Sequence, residues 1–497
     1  MAALRGDGLT APGIDRRTLL ERGARTALGV SLVPWWRLPE LVEAGDPRVR
    51  ALARELRGDV IGRGAPAYAS ARLLPSTRFD GIRPLAIARC ESADDVARCL
   101  RWAARNEIRV TARSGGHSYA GYSTIANGLV IDVSRIDGIS VAADGKSAMV
   151  GAGATLGEVY DRLYAARRVT IPAGSCLSVG IAGLTLGGGH GFRSRQHGLT
   201  CDSVRGLRLV TADARVLDVS ASSHPDLLWA ARGGGGGNFG VVTSFRFAVH
   251  PAGDVATFTV EWPWRDAAAA VAAWQAWAPH APDALFSVLS LSCAAGGAPS
   301  IRAVGQLAGS KAQLDALLGP LASAGAPSRV STVARDFPSS VRYWGGGSGR
   351  STFAAASDYA YRPLTAAGIG ALVRGVEARS RGPGGATTVL LDSYGGAIRR
   401  VPAGGSAFPH RRALFSFQEI VSWQPGGPAA ANLAWLRAFH ASLRPHVSGY
   451  AYLNYLDPAQ PDWQHAYYGA SLPRLQALKR QWDPRGVFRF RQSIRPR

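Results

Sequence analysis

Lysine, methionine and cysteine are all scarce in this chain of 497 residues. Arginine carries most of the positive charge, because Lys146, Lys311 and Lys479 are the only lysines, and the formal net charge is +22. The arginines are spread along the whole chain and form no basic runs interleaved with aromatic residues, which argues against a nucleic-acid-binding surface. After the N-terminus there is no run of about 18 apolar residues, so the sequence predicts no membrane span.

Few cysteines are present, and their spacing excludes two classes of protein. Neither a disulfide scaffold nor a C-x-x-C metal pair is formed by the five residues Cys90, Cys99, Cys176, Cys201 and Cys293. No paired histidine motif occurs either, so we predict no metal cofactor. The length and the hydrophobic content of 46% indicate about two domains with sizeable cores.

The N-terminus resembles an export signal. The run Asp15-Arg16-Arg17-Thr18-Leu19-Leu20 is similar to a twin-arginine motif, and a mildly apolar stretch and a small-residue cleavage site near Ala44 follow it. We therefore expect residues 1–45 to direct export of the folded protein. Arg22 and Arg25 interrupt the apolar stretch, so a basic structural helix on a cytoplasmic protein is the alternative.

A histidine lies in a glycine turn directly after a short β-rich run. The turn reads Arg113-Ser114-Gly115-Gly116-His117-Ser118-Tyr119 and follows residues 108–112. Two glycines let the backbone come close to a flat ligand, and Arg113 and Ser114 offer donors to phosphate. This pattern predicts a turn that binds a cofactor.

Two further glycine-rich stretches follow. The first comprises residues 174–180, Gly183 and residues 187–192, where such glycine density indicates that backbone must lie against a ligand. The second, Gly235-x-Gly237-x-x-Gly240, matches the dinucleotide fingerprint in its letters only. A helical pattern precedes it and a β-branched run follows it, whereas a nicotinamide site requires strand, glycines and then helix. We therefore predict no nicotinamide site there.

Together these stretches resemble the FAD-binding domain of the vanillyl-alcohol-oxidase superfamily, in its berberine-bridge-enzyme-like branch. The resemblance covers residues 75–250 and 385–497. It implies an α+β fold, in which a PCMH-type FAD-binding domain of two subdomains is joined to a substrate domain of antiparallel sheet covered by helices. It also implies that His117 bonds to the flavin 8α-methyl group and that Cys176 bonds to flavin C6.

We expect four segments along the chain. After the signal segment 1–45, these are the FAD-binding domain 46–251, the substrate-binding domain 252–449 and a C-terminal segment, 450–497, that returns to the FAD domain. Among the individual elements, Ser92 is the predicted N-cap of a helix, and one helix is predicted around residues 312–322.

The resemblance and the glycine pattern together define the expected FAD-binding residues. These are Arg113, Ser114, Gly115, Gly116, His117, Ser118, Gly174, Cys176, Val179, Gly180, Gly183, Gly187, Gly188, Gly191, Gly237, Asn238, Gly240, Val242 and Asn454.

The resemblance also assigns catalytic residues. Tyr455, in the segment Tyr452-Leu453-Asn454-Tyr455, corresponds to the base of sugar-oxidising relatives, Tyr452 to a residue lining the substrate site and Gln418 to a substrate contact. Lowering the pKa of a phenol by two units would require about 2.7 kcal/mol. Asp392 is a candidate to support the base, whereas Glu419 would point to the opposite face of a strand. Without the resemblance, both tyrosines would be read as packing residues of a strand.

We expect an FAD-dependent oxidase that acts on an alcohol or a carbohydrate, including oligosaccharides. Val179 stands where the family's valine leaves room for dioxygen, which implies that oxygen is the acceptor and hydrogen peroxide the product. The alternatives are a tailoring oxidoreductase of secondary metabolism, which closes rings or oxidises amines, and a non-enzymatic carbohydrate-binding protein of the same fold. The sequence leaves the substrate and the oligomeric state open.

The export prediction can be tested with a reporter. A reporter protein fused behind residues 1–45 should cross the membrane only in cells with a twin-arginine pathway, and changing Arg16 and Arg17 to lysine should trap it inside. The measurement is the reporter's activity in the fractionated cells. Export that survives this double change would contradict the prediction.

Overall fold

The structure, a computed structural model, describes residues 46–345 and 349–496. The predicted export segment, residues 1–45, lies outside the described residues. Within those residues, no helix combines the length and the apolar character needed to cross a membrane. In the same part of the chain, no three His, Cys, Asp or Glu side chains are grouped so that they could hold a metal ion.

The first sheet carries the histidine turn at its edge. Its strand order is β1-β2-β4-β3, in which β1 is antiparallel to β2 and the other neighbours are parallel. Its strands are β1 (Asp59–Gly62), β2 (Ala86–Arg89), β3 (Val110–Arg113) and β4 (Leu129–Asp132), and its helices are α1 (Pro47–Glu55), α2 (Tyr68–Ala71) and α3 (Ala93–Arg105). The side chain of Ser92 accepts a hydrogen bond from Asp95 N at 3.2 Å, so the predicted N-cap is confirmed.

The second sheet has five antiparallel strands in the order β5-β6-β10-β8-β9. The strands of this region are β5 (Ile139–Val141), β6 (Ser147–Gly151), β7 (Val169–Thr170), β8 (Val204–Val210), β9 (Val216–Ser220), β10 (Val241–Ala248) and β11 (His250–Pro251). The short strands β7 and β11 pair with each other. Its helices are α4 (Leu156–Arg167), α5 (Ile181–Leu186), α6 (Ser194–His197) and α7 (Pro225–Ala231).

The third sheet has seven antiparallel strands in the order β15-β12-β14-β13-β17-β18-β16. These are β12 (Val255–Trp262), β13 (Leu285–Ala294), β14 (Ser300–Leu307), β15 (Arg329–Arg335), β16 (Thr352–Ala360), β17 (Ala386–Ser393) and β18 (Phe415–Trp423). The helices in this stretch are α8 (Ala267–Trp277), α9 (Lys311–Leu317), α10 (Gly319–Ala322), α11 (Phe337–Trp344), α12 (Ala366–Ala378), α13 (Ala397–Arg400) and α14 (Ala429–Leu443). The sheets and helices together confirm the α+β class.

Alternation along these strands gives the third sheet two different faces. Leu289, Val389 and Phe417 are fully buried in a core that also contains Trp274 of α8 and Leu372 of α12. On each of these strands, the residues that alternate with the core residues point to the other face of the sheet. The site described below lies on that face.

One predicted helix is wrong. The stretch around residues 312–322 forms two short helices, α9 and α10. Pro320 lies in the first turn of α10, and a proline lacks the N–H that a continuous helix would need at this point. The break at Gly319 and Pro320 therefore follows from backbone chemistry that the apolar pattern does not register.

The C-terminal segment packs into the apolar core of the first two sheets. It contains α15 (Trp463–Tyr468) and α16 (Leu472–Trp482). The buried cluster that contains Leu129 and Ile131 of β4 also contains four residues of the C-terminal segment, Leu453, Tyr467, Tyr468 and Leu475. The side chain of Lys479 donates hydrogen bonds to the carbonyl oxygens of Asn238 (2.6 Å) and Phe488 (2.8 Å) and pairs with Asp483 at 2.7 Å.

Replacing Lys479 by methionine should destabilise the protein by about 3 to 5 kcal/mol, because the carboxylate of Asp483 would stay buried without its partner. The exposed fractions of these two side chains are 1% and 0%. The measurement is the midpoint of thermal unfolding. Lys311→Met is a matched control, since Lys311 and Asp315 form an equally short i,i+4 pair that is about half exposed. Equal losses in both variants would contradict this account.

Candidate active site

Two glycine loops touch each other through their backbones. A Cβ atom added at Gly115 would lie 2.3 Å from Gly180 N, and one added at Gly180 would lie 2.2 Å from Gly115 N. No side chain fits at either position, so the turn after β3 and the loop before α5 can meet only as glycines. Ser114 donates a hydrogen bond to Ala152 O at 2.7 Å, which ties the turn to the end of β6.

His117 and Cys176 approach the same hydroxyl group, although they come from different loops. Ser178 Oγ lies 3.1 Å from His117 Nε2 and 3.6 Å from Cys176 Sγ. Burial lowers the pKa of His117 below its ordinary value, which keeps the imidazole neutral at neutral pH. Cys176 is a free, exposed cysteine, whereas the other four are buried. A neutral imidazole and an accessible thiol are the two side chains best suited to attack an electron-poor ring.

The third glycine stretch lies between helix α7 and strand β10. The predicted order of helix, glycines and strand is confirmed, and it is the reverse of a nicotinamide-binding turn. Asn238 anchors the loop: its Nδ2 donates to Gly234 O at 3.1 Å, and its Oδ1 accepts from Ile494 N at 3.0 Å. Gly235 and Gly237 both adopt positive φ angles, of 90° and 69°.

One cavity of about 870 Å³ brings the predicted residues together. Its size is typical of sites for large organic ligands. Of the predicted cofactor residues it is lined by Arg113, Ser114, Gly115, Gly116, His117, Ser118, Gly174, Cys176, Val179, Gly180, Gly183, Gly191, Gly237, Asn238, Gly240, Val242 and Asn454, and of the predicted catalytic residues by Asp392, Gln418, Tyr452 and Tyr455.

Gly187 and Gly188 do not line this cavity. A Cβ atom at Gly187 would lie 2.0 Å from Oδ1 of Asn454, and one at Gly188 would lie 3.0 Å from the ring of Phe408. The absence of a side chain at these two positions therefore leaves room for the side chains of Asn454 and Phe408. Gly187 acts on the cavity through Asn454, which does line it.

The face of the third sheet that points away from the helices forms one side of the cavity. Val288 of β13, Leu390 and Asp392 of β17 and Gln418 of β18 all lie on this face. Glu419, the next residue, points the other way and lies 3.1 Å from His440 of α14. The alternation expected for a strand thus separates Glu419 from the cavity.

Tyr455 has a free hydroxyl group in this cavity. It lies in a single turn of 3-10 helix, Leu453–Tyr455, so the alternative of strand packing does not hold. Its ring stacks on Tyr119 with centroids 5.5 Å apart, and its hydroxyl forms no hydrogen bond to another described residue. Burial raises the pKa of Tyr455 well above its ordinary value, and the charge of nearby Asp392 raises it further.

Asp392 is a buried carboxyl group of the cavity that titrates near neutral pH. Burial raises the pKa of this carboxyl to about 7, against one weak hydrogen bond from Ser416 at 3.4 Å. At neutral pH the carboxyl is therefore divided between its two protonation states. Such a poised group is the stronger candidate to hold a proton temporarily, since the buried phenol of Tyr455 stays protonated.

The hydroxyl group of Tyr452 is engaged in hydrogen bonds within the protein. Its hydroxyl oxygen accepts hydrogen bonds from Gly189 N (3.0 Å), His190 N (3.1 Å) and Asn454 Nδ2 (3.0 Å). The phenol therefore fixes the second glycine stretch against the C-terminal segment. Burial raises the pKa of Tyr452 above its ordinary value, so it remains a neutral anchor.

Comparison with known proteins places these features in a family. A sequence profile for an FAD binding domain matches residues 84–220, and one described as "Berberine and berberine like" matches residues 451–495. An uncharacterized FAD-linked oxidoreductase of Bacillus subtilis, YgaK, is 36% identical over 451 residues, which cover 89% of this chain and 98% of YgaK. This chain belongs to the berberine-bridge-enzyme-like family of FAD-linked oxidoreductases.

Two solved structures of similar proteins agree with this fold. BBE-like 1 of Physcomitrella patens superimposes with a TM-score of 0.82 at 30% identity, over 90% of this chain and 99% of that protein. A chitooligosaccharide oxidase superimposes with the same TM-score at 25% identity, over 90% of this chain and 100% of that protein. The predicted fold class is confirmed by both.

The cavity of this berberine-bridge-enzyme-like protein has the chemistry that FAD needs. Arg113 pairs with buried Asp132 through Nε at 2.7 Å, but its Nη1 is buried without a hydrogen-bond partner, and so is Thr124 Oγ1. Both residues line the cavity, so they offer unused polar atoms to a phosphate or an adenine. A Cβ atom at Gly183 would meet no heavy atom within 4 Å, which leaves open space for a ring system.

Among the cavity residues that were not predicted from the sequence are Tyr119, His190 and Trp344. Tyr119 accepts a hydrogen bond from Gln418 Nε2 at 2.6 Å and so links the histidine turn to the third sheet. His190 bonds through Nε2 to Ser393 O at 3.1 Å, and burial lowers its pKa to about 3. Trp344 contributes its ring. Tyr119 lies two residues after His117, and His190 directly follows the run Gly187-Gly188-Gly189. These positions within the two glycine motifs were the signal that could have identified both residues.

Asp392 should make the stability of the protein fall as pH rises. Because its pKa rises from 3.8 to about 7 on folding, the folded protein binds more protons at this site than the unfolded chain between about pH 4 and pH 7. Above about pH 7, the ionisation of Asp392 makes the free energy of unfolding about 4 kcal/mol lower than it is below pH 4. Asp392→Asn cannot ionise, so its gain in stability over the wild type should grow with pH, from about 2 kcal/mol at pH 5 to about 4 kcal/mol at pH 8.

The test compares unfolding midpoints of the two proteins across this pH range. Asp254→Asn, which removes an exposed carboxylate without a hydrogen bond, is the matched control. A pH dependence of the Asp392→Asn difference no larger than that of the control would contradict the assignment of the raised pKa.

Proposed function

We propose that this oxidoreductase is a covalent-FAD oxidase that oxidises a hydroxyl group of a carbohydrate or another alcohol. The observation that carries the proposal is the convergence of His117 and Cys176 on Ser178 in a cavity that also holds Tyr455, Asp392 and Gln418. Cofactor attachment and proton handling are thereby assigned to opposite sides of one space.

The attachment follows from the two nucleophiles. His117 and Cys176 lie on separate loops, so two bonds would tie the dimethylbenzene ring of the flavin to both loops. FAD supplies a hydride acceptor that passes two electrons on to dioxygen, which gives hydrogen peroxide. Val179 lines the same cavity and, by family resemblance, leaves room for the oxygen molecule.

The proton of the substrate hydroxyl needs an acceptor among the residues of the chain. Tyr455 is protonated at rest, so it can take this proton only as it gives up its own. Asp392 is ionised in part at neutral pH and lies close enough for its charge to affect Tyr455, which makes it the acceptor of the second proton. Glu419 is excluded as a proton acceptor because its carboxylate pairs with His440. Tyr452 is excluded because its hydroxyl group already accepts hydrogen bonds from the second glycine stretch.

The substrate class is supported by the structural similarity to a chitooligosaccharide oxidase. Gln418 carries an amide on the sheet face of the cavity, where it can bond to a hydroxyl group of a sugar as well as to Tyr119. We therefore propose that Gln418 positions the substrate and takes no part in proton transfer.

Covalent attachment can be tested without a substrate. The purified protein should stay yellow after acid precipitation and washing, because the flavin cannot leave. His117→Ala and Cys176→Ala should each retain flavin through the remaining bond, while the double variant should release it all. His280→Ala, an exposed histidine outside the cavity, is the control. Complete release of flavin from the wild type would contradict both bonds.

The role of Tyr455 can be separated from that of Gln418. Tyr455→Phe should slow anaerobic flavin reduction in a single turnover by a factor of about 10² to 10⁴, because it removes a proton acceptor and keeps the ring. Gln418→Ala should mainly weaken substrate binding. Tyr343→Phe, which alters an exposed tyrosine, is the control. Reduction of Tyr455→Phe at the wild-type rate would move the base to Asp392.

A further inference from the structure

A second cleft, of about 500 Å³, lies beside the catalytic cavity. Strand β16, helix α14 and residues 456–461 of the C-terminal segment form its walls. Tyr119, Leu456 and Arg491 line both spaces, so the cleft and the cavity are direct neighbours.

The cleft is rich in arginine. Arg78, Arg437, Arg444 and Arg491 line it, whereas Asp457 is the only carboxylate among the described lining residues. Of the four guanidinium groups, only that of Arg444 lies within ion-pair distance of a carboxylate, Asp358 at 3.5 Å. A narrow cleft with an excess of one charge focuses its field on a ligand of the opposite charge.

The one histidine among the described lining residues of the cleft is already paired. His440 lies in the wall of the cleft, and its ring is 3.1 Å from the buried carboxylate of Glu419. Burial works against a charge on His440, but Glu419 outweighs it and raises the pKa of the imidazole above its ordinary value. A protonated His440 is thus balanced by Glu419 and does not cancel the charge of the arginines.

Arg437 and Arg491 are available to a ligand. Both are exposed, and neither forms a hydrogen bond or an ion pair with another described residue. A guanidinium group presents a planar fork of donors that matches a carboxylate or a phosphate. Apolar residues also line the cleft, among them Ala355, Leu433 and Pro458. An apolar wall beside a basic rim suits a sugar ring that carries an anionic group.

This cleft is separate from the phosphate-binding part of the FAD site. The unpartnered polar atoms of Arg113 and Thr124 belong to the first cavity and not to the second. The phosphates of FAD, held by these atoms, would therefore leave the arginines of the second cleft available to another anion.

We propose that the second cleft binds the anionic group, a carboxylate or a phosphate, of a saccharide whose neighbouring ring is oxidised in the catalytic cavity. This inference rests on the proposed carbohydrate oxidase function. It makes anionic oligosaccharides the preferred substrates over neutral ones of the same length.

The test uses a neutral disaccharide that ends in glucose, the matched disaccharide that ends in glucuronic acid, and the neutral disaccharide phosphorylated at its terminal glucose. For the holoenzyme, binding is measured by titration calorimetry and turnover by peroxide release. The anionic disaccharides should bind on the order of tenfold more tightly than the neutral one, and added salt should remove the difference. The better of the two anionic ligands identifies the group that the cleft takes.

Arg437→Glu should remove the preference for anionic disaccharides and leave the binding of the neutral one unchanged, because Arg437 lines only the second cleft. Arg329→Glu, at an exposed arginine of β15 without a partner, is the matched control for the change in overall charge. Anionic ligands that bind in an Arg437-dependent way but are not turned over would support the cleft and contradict the proposed oxidase function. Equal binding of all three ligands to the wild type would overturn the cleft.

Discussion

The contact between Gly115 and Gly180 is the constraint on which the site depends. Their backbones approach so closely that a Cβ atom at either position would lie within 2.3 Å of the other's nitrogen. Since the two loops meet there, His117 and Cys176 can approach the single hydroxyl of Ser178, although 58 residues lie between them in the sequence. Any side chain at this crossing would move one nucleophile away from the other.

Burial then decides how the other side of the cavity handles protons. The same exclusion of water raises the pKa of Tyr455 and that of Asp392, but the starting values differ, so only the carboxyl titrates near neutral pH. The third sheet supplies this side because alternate residues of β17 and β18 face the cavity. The residues that alternate with them on these strands face the helices instead. Glu419, for example, contacts His440 of α14.

Local patterns predicted much of the cofactor side. Glycine runs and the capping serine Ser92 act through near neighbours, so they can be recognised from the chain alone. Strand β16 was not predicted because it is rich in alanine, a residue depleted in strands, and it exists through its pairing with β18. Tyr119 was missed for a related reason, since its contact with Gln418 joins residues that only the fold brings together.

Mass spectrometry of a tryptic digest tests the central claim, that one flavin is held by both loops. Cleavage after arginine yields the peptides 114–135 and 169–193, which carry His117 and Cys176. The account predicts a single species whose mass is the sum of both peptides and FAD, less the hydrogen atoms lost when two bonds form. Flavin absent from both peptides, or found on two separate peptides and never on a linked pair, would contradict it.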